Sequence, residues 1–558
     1  MFAKLQLRIG VAASLAVMLA ASPILLSAQA PSSEVPPITI RTSTRLVVLD
    51  VVVTDKKGQP VTGLKADDFV VEESGKKQRV ATFTPPGTAQ AAAEPLPPGL
   101  FSNRAEYLRP AGNPTVLLLD AANSRFRDQA YGRLQMLKYV SEQSGSGTPM
   151  AVVALTDRLH VLQEFTSDPK ILAAAIRNLK PQEQVLLPES SPSSAAATDA
   201  LASGPNAGVA IGIAQAELAA FQNLVTGYNL EVRTIITVQA MRDLSRLLAG
   251  FPGRKNVVWL TSEFPFDLIP EDRNISDAEL RAELPGQGKQ RMVGVNAAGA
   301  IAAEARELHG GEIMRAESQL ASANIAIYPV DMRGIMMSGI DVANSGTMEE
   351  IAAETGGKAY TNQNEIKFGI ALAASDDKAS YSIGYYPENK KWDGKYRSIK
   401  VKLNQPDTQV RCRKGYFAID PGEAKDRNYS QDVAAALAIN APSTQISFRA
   451  QAKPTGPNKV QVIFLVDART LSAEDSGGNK KMNVTLYAAL YNSAGKDLTL
   501  RTTKVDRAFD AATYQQIVDK GMMVPIDMDV PSGTTELRLA VLDGKTGYIG
   551  TATGPIGQ

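Results

Sequence analysis

At 558 residues the chain is too long for a single core, and its length suggests about three domains. Its hydrophobic share of 44% is that of ordinary globular protein. With 59 basic against 58 acidic residues and a net charge of +1, it lacks the concentrated positive field that nucleic-acid binding or polybasic attachment to a membrane requires.

In chain order, Lys4 and Arg8 precede the apolar run Ile9 to Leu26, and Ala28-Gln29-Ala30 follows as a small-x-small cleavage signal. Residues 1–30 therefore read as an export signal, and the expected location is periplasmic, outer-surface or secreted. The apolar run approaches the roughly 18 residues needed to span a bilayer, so cleavage and retention as an anchor both stay open; after signal removal no further span is expected. Residues 38–84 alternate as short strands (LVVLDVVVTD, FVVEE, QRVATF) between the turns Lys57-Gly58 and Ser74-Gly75, with the spacing of an immunoglobulin-like half-sandwich. Three or four strands leave one face bare. Residues 85–112, rich in proline and alanine at their start, read as a linker.

From 113 to 379 the pattern becomes strand, helix, strand. Strands are expected at 115–120, 150–156, 159–165, 256–261, 324–331 and 357–361, several of them continuous apolar runs of the kind a parallel sheet covered on both faces requires. Between them, Ile235, Val238, Met241, Leu244 and Leu248 mark one helix ending at Gly250, and Ile301, Ala305 and Leu308 mark another. This is the signature of a doubly wound α/β domain. Strand patterns return at 380–420, and their natural partner is the bare sheet of 38–84. The α/β domain is thus expected as an insertion in a discontinuous β-sandwich. Residues 430–558 form a C-terminal β domain, with strands at KVQVIFLVDA, NVTLYAALYN, MVPIDMDV and ELRLAVLD.

In a doubly wound sheet ligands bind beyond the carboxyl ends of the strands, where the strand order reverses. The residues expected there are Asp120 and Ser124 in DAANS, Asp157 in TDR, Thr198 in the small-residue loop SPSSAAATDALASG, Glu263 in TSE, and Asp331. Together they resemble the edge of a von Willebrand factor type A domain, over about 260 residues. The resemblance implies a metal-ion-dependent adhesion site of pattern Asp-x-Ser-x-Ser, a threonine from a separate loop and an aspartate after the fourth strand, with a partner's acidic side chain completing the coordination of Mg²⁺ or another divalent cation. Asp120, Ser124 and Thr198 match parts of that pattern. Ala122 replaces the middle serine, and Thr261-Ser262-Glu263 stands where Thr-Asp-Gly is expected, with Glu263 as the substitute carboxylate. These departures imply a degenerate site, with Asp120 and Ser124 as caps of the helix starting near Arg127 being the structural alternative. With its flanks, GRKNVVWLTSEFP, IAIYPVDMRG, YSIGYYPENKKWDGKYRSIKVKL and RCRKGYFA, the chain is similar to the acidobacterial VWFA-related domain family of exported proteins.

His160 and His309, the two histidines, lie in no zinc motif, and no G-x-S-x-G elbow is present. Cys412, the single cysteine, reads as a packed small residue. The expectation is a non-catalytic protein-binding or adhesion protein. The alternative is carbohydrate or cell-envelope binding through the β domains, with Tyr381, Tyr385, Tyr386, Trp392 and Tyr396 as an aromatic platform; a hydrolase is the weakest reading.

Overall fold

The structure is a computed structural model that describes residues 46–87, 96–108, 113–142, 149–181, 207–251, 253–265, 309–334, 339–363, 365–405, 407–420, 429–439 and 441–556. The signal at 1–30, Thr198 and the helix expected around Ile301, Ala305 and Leu308 lie outside these residues.

Strands Val47–Asp55 (β1), Phe69–Glu73 (β2), Lys76–Gln78 (β3), Val80–Thr84 (β4) and Leu100–Ser102 (β5) precede the central strands. Those are Thr115–Asp120 (β6), Met150–Leu155 (β7), Leu159–Thr166 (β8), Lys255–Thr261 (β9) and Ile325–Asp331 (β10). Ser380–Tyr385 (β11), Tyr396–Leu403 (β12), Thr408–Arg411 (β13) and Gly415–Phe417 (β14) come next. The chain ends with Phe448–Gly456 (β15), Lys459–Val466 (β16), Glu474–Ser476 (β17), Asn479–Asn492 (β18), Asp497–Phe509 (β19), Met522–Asp529 (β20), Thr534–Asp543 (β21) and Ile549–Pro555 (β22).

The central sheet has the order β10-β9-β6-β7-β8, parallel except for the antiparallel β7–β8 pair at its edge. Its strand order reverses between β6 and β9. Every residue of β6, β7, β9 and β10 is buried, because helices cover both faces. The period of two divides the strands between two cores. Val116, Leu118, Val257 and Trp259 pack with Val238, Met241 and Leu244 of helix Ala207–Leu248 and with Ile313 and Leu320 of helix 309–322. Leu117, Leu119, Val258 and Leu260 pack with Met136 and Val140 of helix Phe126–Glu142 and with Leu172 and Ile176 of helix Pro169–Asn178. Ile235, expected on the apolar stripe of the long helix, faces solvent at 50% exposure.

Two four-stranded sheets, β13-β1-β11-β4 and β14-β12-β2-β3, join strands from before and after the central sheet. One apolar cluster fills the space they share, with Leu49, Val51, Phe69, Val71, Tyr381, Ile383 and Ile399 among its members. Two further sheets, β20-β16-β15-β5 and a five-stranded one built on β18 and β21, enclose a second cluster that includes Phe448, Phe464, Leu486 and Leu539.

The linker expected over 85–112 needs correction. Leu100–Ser102 pairs antiparallel with Phe448–Gly456, and Phe101 enters the C-terminal core. Asn103, wholly buried, donates from Nδ2 to the carbonyls of Ser443 and Ile446, both at 2.7 Å, and accepts the N–H of Phe448 at 2.9 Å. One side-chain amide thus satisfies three backbone groups in this tie, which composition alone conceals. The strand expected at 357–361 is only an isolated bridge between Val330 and Tyr360. Gly356, with φ of 77°, and Gly357, packed against the Ile327 carbonyl, leave room for no more.

Candidate functional site at the carboxyl edge of the central sheet

The reversal of strand order brings the carboxyl ends of β6 and β9 together, and with them Asp120 and Thr261. The N–H groups of Ala121 and Ala122 both donate to the Leu155 carbonyl, at 2.8 and 3.0 Å, which folds the loop after β6 over the end of β7. Asp120 is fully buried at the centre. Its Oδ1 accepts the Asn123 N–H at 2.9 Å, and its Oδ2 accepts Asn123 Nδ2 and the Trp259 indole N–H, each at 2.9 Å. The Thr261 hydroxyl lies 3.1 Å from the same Oδ2 and 2.8 Å from the Glu263 carbonyl. Burial raises the Asp120 carboxyl above its ordinary range, and the donors of Asn123, Trp259 and Thr261 work against that rise.

Asn123 faces two ways. Its Nδ2 also donates to Thr237 Oγ1 at 2.9 Å, while its Oδ1 accepts Nε–H of Arg233, on the long helix, at 3.0 Å. Arg233, 5% exposed, also pairs with the Glu263 carboxylate. Ser124 Oγ accepts the Ser262 N–H at 2.9 Å, and Ser262 Oγ donates to Asp128 at 3.0 Å. Of the expected site residues, Asp120, Ser124 and Glu263 therefore meet in one network. Asp331, at the end of β10, is closed by Arg333, which donates Nε–H to Oδ1 at 2.9 Å and Nη2–H to Oδ2 at 2.7 Å. Asp157 is exposed beyond β7, where His160 at 3.0 Å and the Thr156 hydroxyl at 2.8 Å hold its carboxyl down to about 2.

The capping alternative is corrected as well. In the first turn of helix Phe126–Glu142, the N–H groups of Asp128 and Gln129 donate to the Arg125 carbonyl, while Asp120 and Ser124 bond to their own loop and to the loop after β9. Asn123, Arg233, Thr237 and Trp259 were not anticipated. The signal available for Arg233 was a basic residue amid EVRTIITV on a helix that packs against the sheet.

Among the described residues, which leave out Thr198, the side chains at this edge do not offer the oxygen set of a divalent cation. Such an ion needs about six oxygens, but Ala122 offers none and Glu263 is held by Arg233. The amide and indole N–H groups that satisfy Asp120 would direct their hydrogens at an ion bound there. Among the described residues no group of three or more His, Cys, Asp or Glu converges as a metal site.

The aromatic platform is also corrected. Tyr381 and Tyr385 are wholly buried, donating to the Val61 carbonyl and to Glu73 at 2.8 and 2.7 Å. Trp392 packs against Tyr416, with ring centroids 6.0 Å apart, and lies under Arg397. Tyr386 and Tyr396 are exposed, but Tyr381 and Tyr385 lie inside the sandwich and half-buried Trp392 packs against it, so the five rings do not form one open face.

No protein-family model matches the chain, and no curated protein matches it. Solved structures similar to it include a von Willebrand factor type A protein from Catenulispora acidiphila, at 10% identity, covering 93% of this chain and 75% of that one with a TM-score of 0.23. Another is the vWF domain of the type V pili tip protein Mfa5 from Porphyromonas gingivalis, at 10% identity, 48% and 93% coverage and a TM-score of 0.22. A third is an aerotolerance-related membrane protein from Bacteroides fragilis, at 12% identity, 48% and 100% coverage and a TM-score of 0.23. Likeness at this level assigns neither a site nor an activity to this chain.

Proposed function

We propose that this chain is an exported, non-catalytic protein that binds a protein partner at the carboxyl edge of its central sheet. The observation that carries the reading is the rim of that edge. Arg125, Phe126 and Arg127 are exposed at the start of helix Phe126–Glu142, and Arg158 is exposed on the adjoining loop. Phe126 is 46% exposed. Arginine and aromatic residues are enriched in protein interfaces and dominate their binding energy. Three exposed arginines and an exposed phenylalanine on the segments after β6 and β7 fit a partner that presents acidic side chains beside an apolar one.

Beneath the rim, Asp120 is shielded from solvent and held by donors, which suits a rigid support better than acid–base chemistry. Export rests on the sequence of residues 1–30. Among the described residues no helix is long and apolar enough to cross a membrane.

The test places a photo-crosslinking amino acid at position 126 or, as a control, at Met523, which is 69% exposed on β20. Exposure to envelope and secreted fractions of the source cells is expected to give a discrete adduct from position 126 that excess wild-type protein competes away. Equal adducts from both positions, or none from 126, would reject the reading.

A further inference from the structure

The loops after β6 and β9 meet directly through Thr261 with Asp120 and Ser262 with Ser124, and the acidic side chains between them call for a positive charge. We infer that Arg233 is the resident cation of the edge, so that its conformation is independent of divalent metal. Its guanidinium reaches in from helix Ala207–Leu248 and touches both loops, through Nε–H to Asn123 Oδ1 at 3.0 Å and through Nη2 to the Glu263 carboxylate. An ion would hold the same two loops by taking oxygen ligands from each.

Asn123 makes the substitution complete. Its carbonyl oxygen faces the Arg233 guanidinium and its amino group faces Asp120, at 2.9 Å. Charge therefore alternates along a line from Asp120 through the Asn123 dipole and Arg233 to Glu263. The amide cannot flip without setting donor against donor and acceptor against acceptor. Thr237, one helical turn on, fixes the backbone of this arrangement, donating to the Arg233 carbonyl at 2.8 Å and accepting from Asn123. Arginine suits the task because it stays charged at all relevant pH values and presents its donors in a planar fork that reaches two acceptors at once.

The inference concerns the same edge as the proposed function but needs no partner, so the two fail separately. The full mature chain is titrated calorimetrically with MgCl₂, MnCl₂ and CaCl₂, and its thermal unfolding is followed with and without EDTA. No saturable heat and no change in Tm are expected. In parallel, Arg233→Met is expected to lower Tm by roughly 6 °C or more, since it removes the guanidinium that bridges Asn123 and Glu263. Arg233→Lys, a point charge that cannot hold both acceptors, should recover less than half of that loss.

A Trp392→Phe background isolates Trp259. Its emission should shift in Arg233→Met, because release of Asn123 disturbs the carboxylate that the indole N–H meets. The inference is overturned by a cation-dependent rise in Tm that Asp120→Asn removes, or by an Arg233→Met protein with unchanged Tm and unchanged Trp259 emission. Should Arg233→Met not fold, the lysine variant and the cation titration decide alone: full wild-type stability in Arg233→Lys, or a saturable heat in the wild type, rejects it.

Discussion

The two ends of the central sheet are both polar and both buried, yet they are built on different chemistry. At the carboxyl end Asp120 is met by neutral donors, and two separate ion pairs, Arg233 with Glu263 and Arg333 with Asp331, lie at the same edge. At the amino end full charges interlock. Arg254, wholly enclosed before β9, donates to Tyr328 Oη at 2.9 Å, to the Gly356 carbonyl at 2.6 Å and to Asn256 at 3.0 Å. Tyr328 in turn donates to Asp376 at 2.6 Å, and Arg411 of β13 pairs with the same carboxylate. Asp50 of β1 is buried in the same region, within the field of Arg254 and Lys255.

The amino end is therefore a joint, where the flanking β layer is fastened to the sheet by the pairing of Arg411 with buried Asp376. The carboxyl end is a supported surface, with its arginines outermost and in water. Interlocked buried charge marks the joint, and exposed arginines over separately closed ion pairs and a carboxylate held by neutral donors mark the surface.

The contrast makes ordered predictions. The largest effect is expected for Arg254→Met, which removes a buried charge together with its bonds to Asn256, Tyr328 and the Gly356 carbonyl. It should cost about 3–5 kcal/mol in urea unfolding, more than Arg233→Met does. The reverse order would break the distinction between joint and surface.

Next comes pH. Burial pushes the Asp377 carboxyl from 3.8 up to about 7, against the pull of Asn256 and Arg254. Its protonated form is favoured in the folded state, so its contribution to stability is complete below about pH 4 and is lost as pH rises through 7. Burial also pushes Lys255 from 10.5 down to about 8, against the pull of Asp50. That contribution is present above about pH 10.5 and is lost as pH falls through 8. Urea midpoints of the wild type relative to Asp377→Asn should therefore fall between pH 4 and 7, and relative to Lys255→Met should rise between pH 8 and 10.5. Flat differences would mean that water reaches the joint.

The smallest effect on stability belongs to the rim. Arg125→Ser and Arg158→Ser should stay within about 0.5 kcal/mol of the wild type while abolishing the adduct formed from position 126. A rim variant that unfolds the protein would show the rim to be part of the frame.

The sheet was legible because its cause is local. TVLLLD and NVVWLT are apolar without interruption, as strands covered on both faces must be, and their ends named Asp120 and Glu263 directly. What surrounds those residues was not legible. Arg233 meets Asn123 across 110 positions of sequence, and nothing in the neighbourhood of either residue announces the other. Leu100–Ser102 was hidden because three residues after a proline-rich stretch carry too little pattern to signal a strand, and its partner lies near Gln451. Helix Gly339–Thr355 was hidden for a related reason: Met348, Ile351 and Ala352 form its buried stripe, while the sequence before them holds Asn344, Ser345 and Gly346.

Arg233 shares its helix with Arg246, which bonds Asp243 and reaches Asp432 of helix Tyr429–Ala438, both at 2.8 Å. Two residues past that helix's end, Gly250 donates to Thr444 Oγ1 at 2.7 Å. Thirteen residues of helix separate the two arginines, about 20 Å along its axis. One helix thus ties the C-terminal region, through Asp432 and Thr444, to the guanidinium that closes the carboxyl edge of the central sheet.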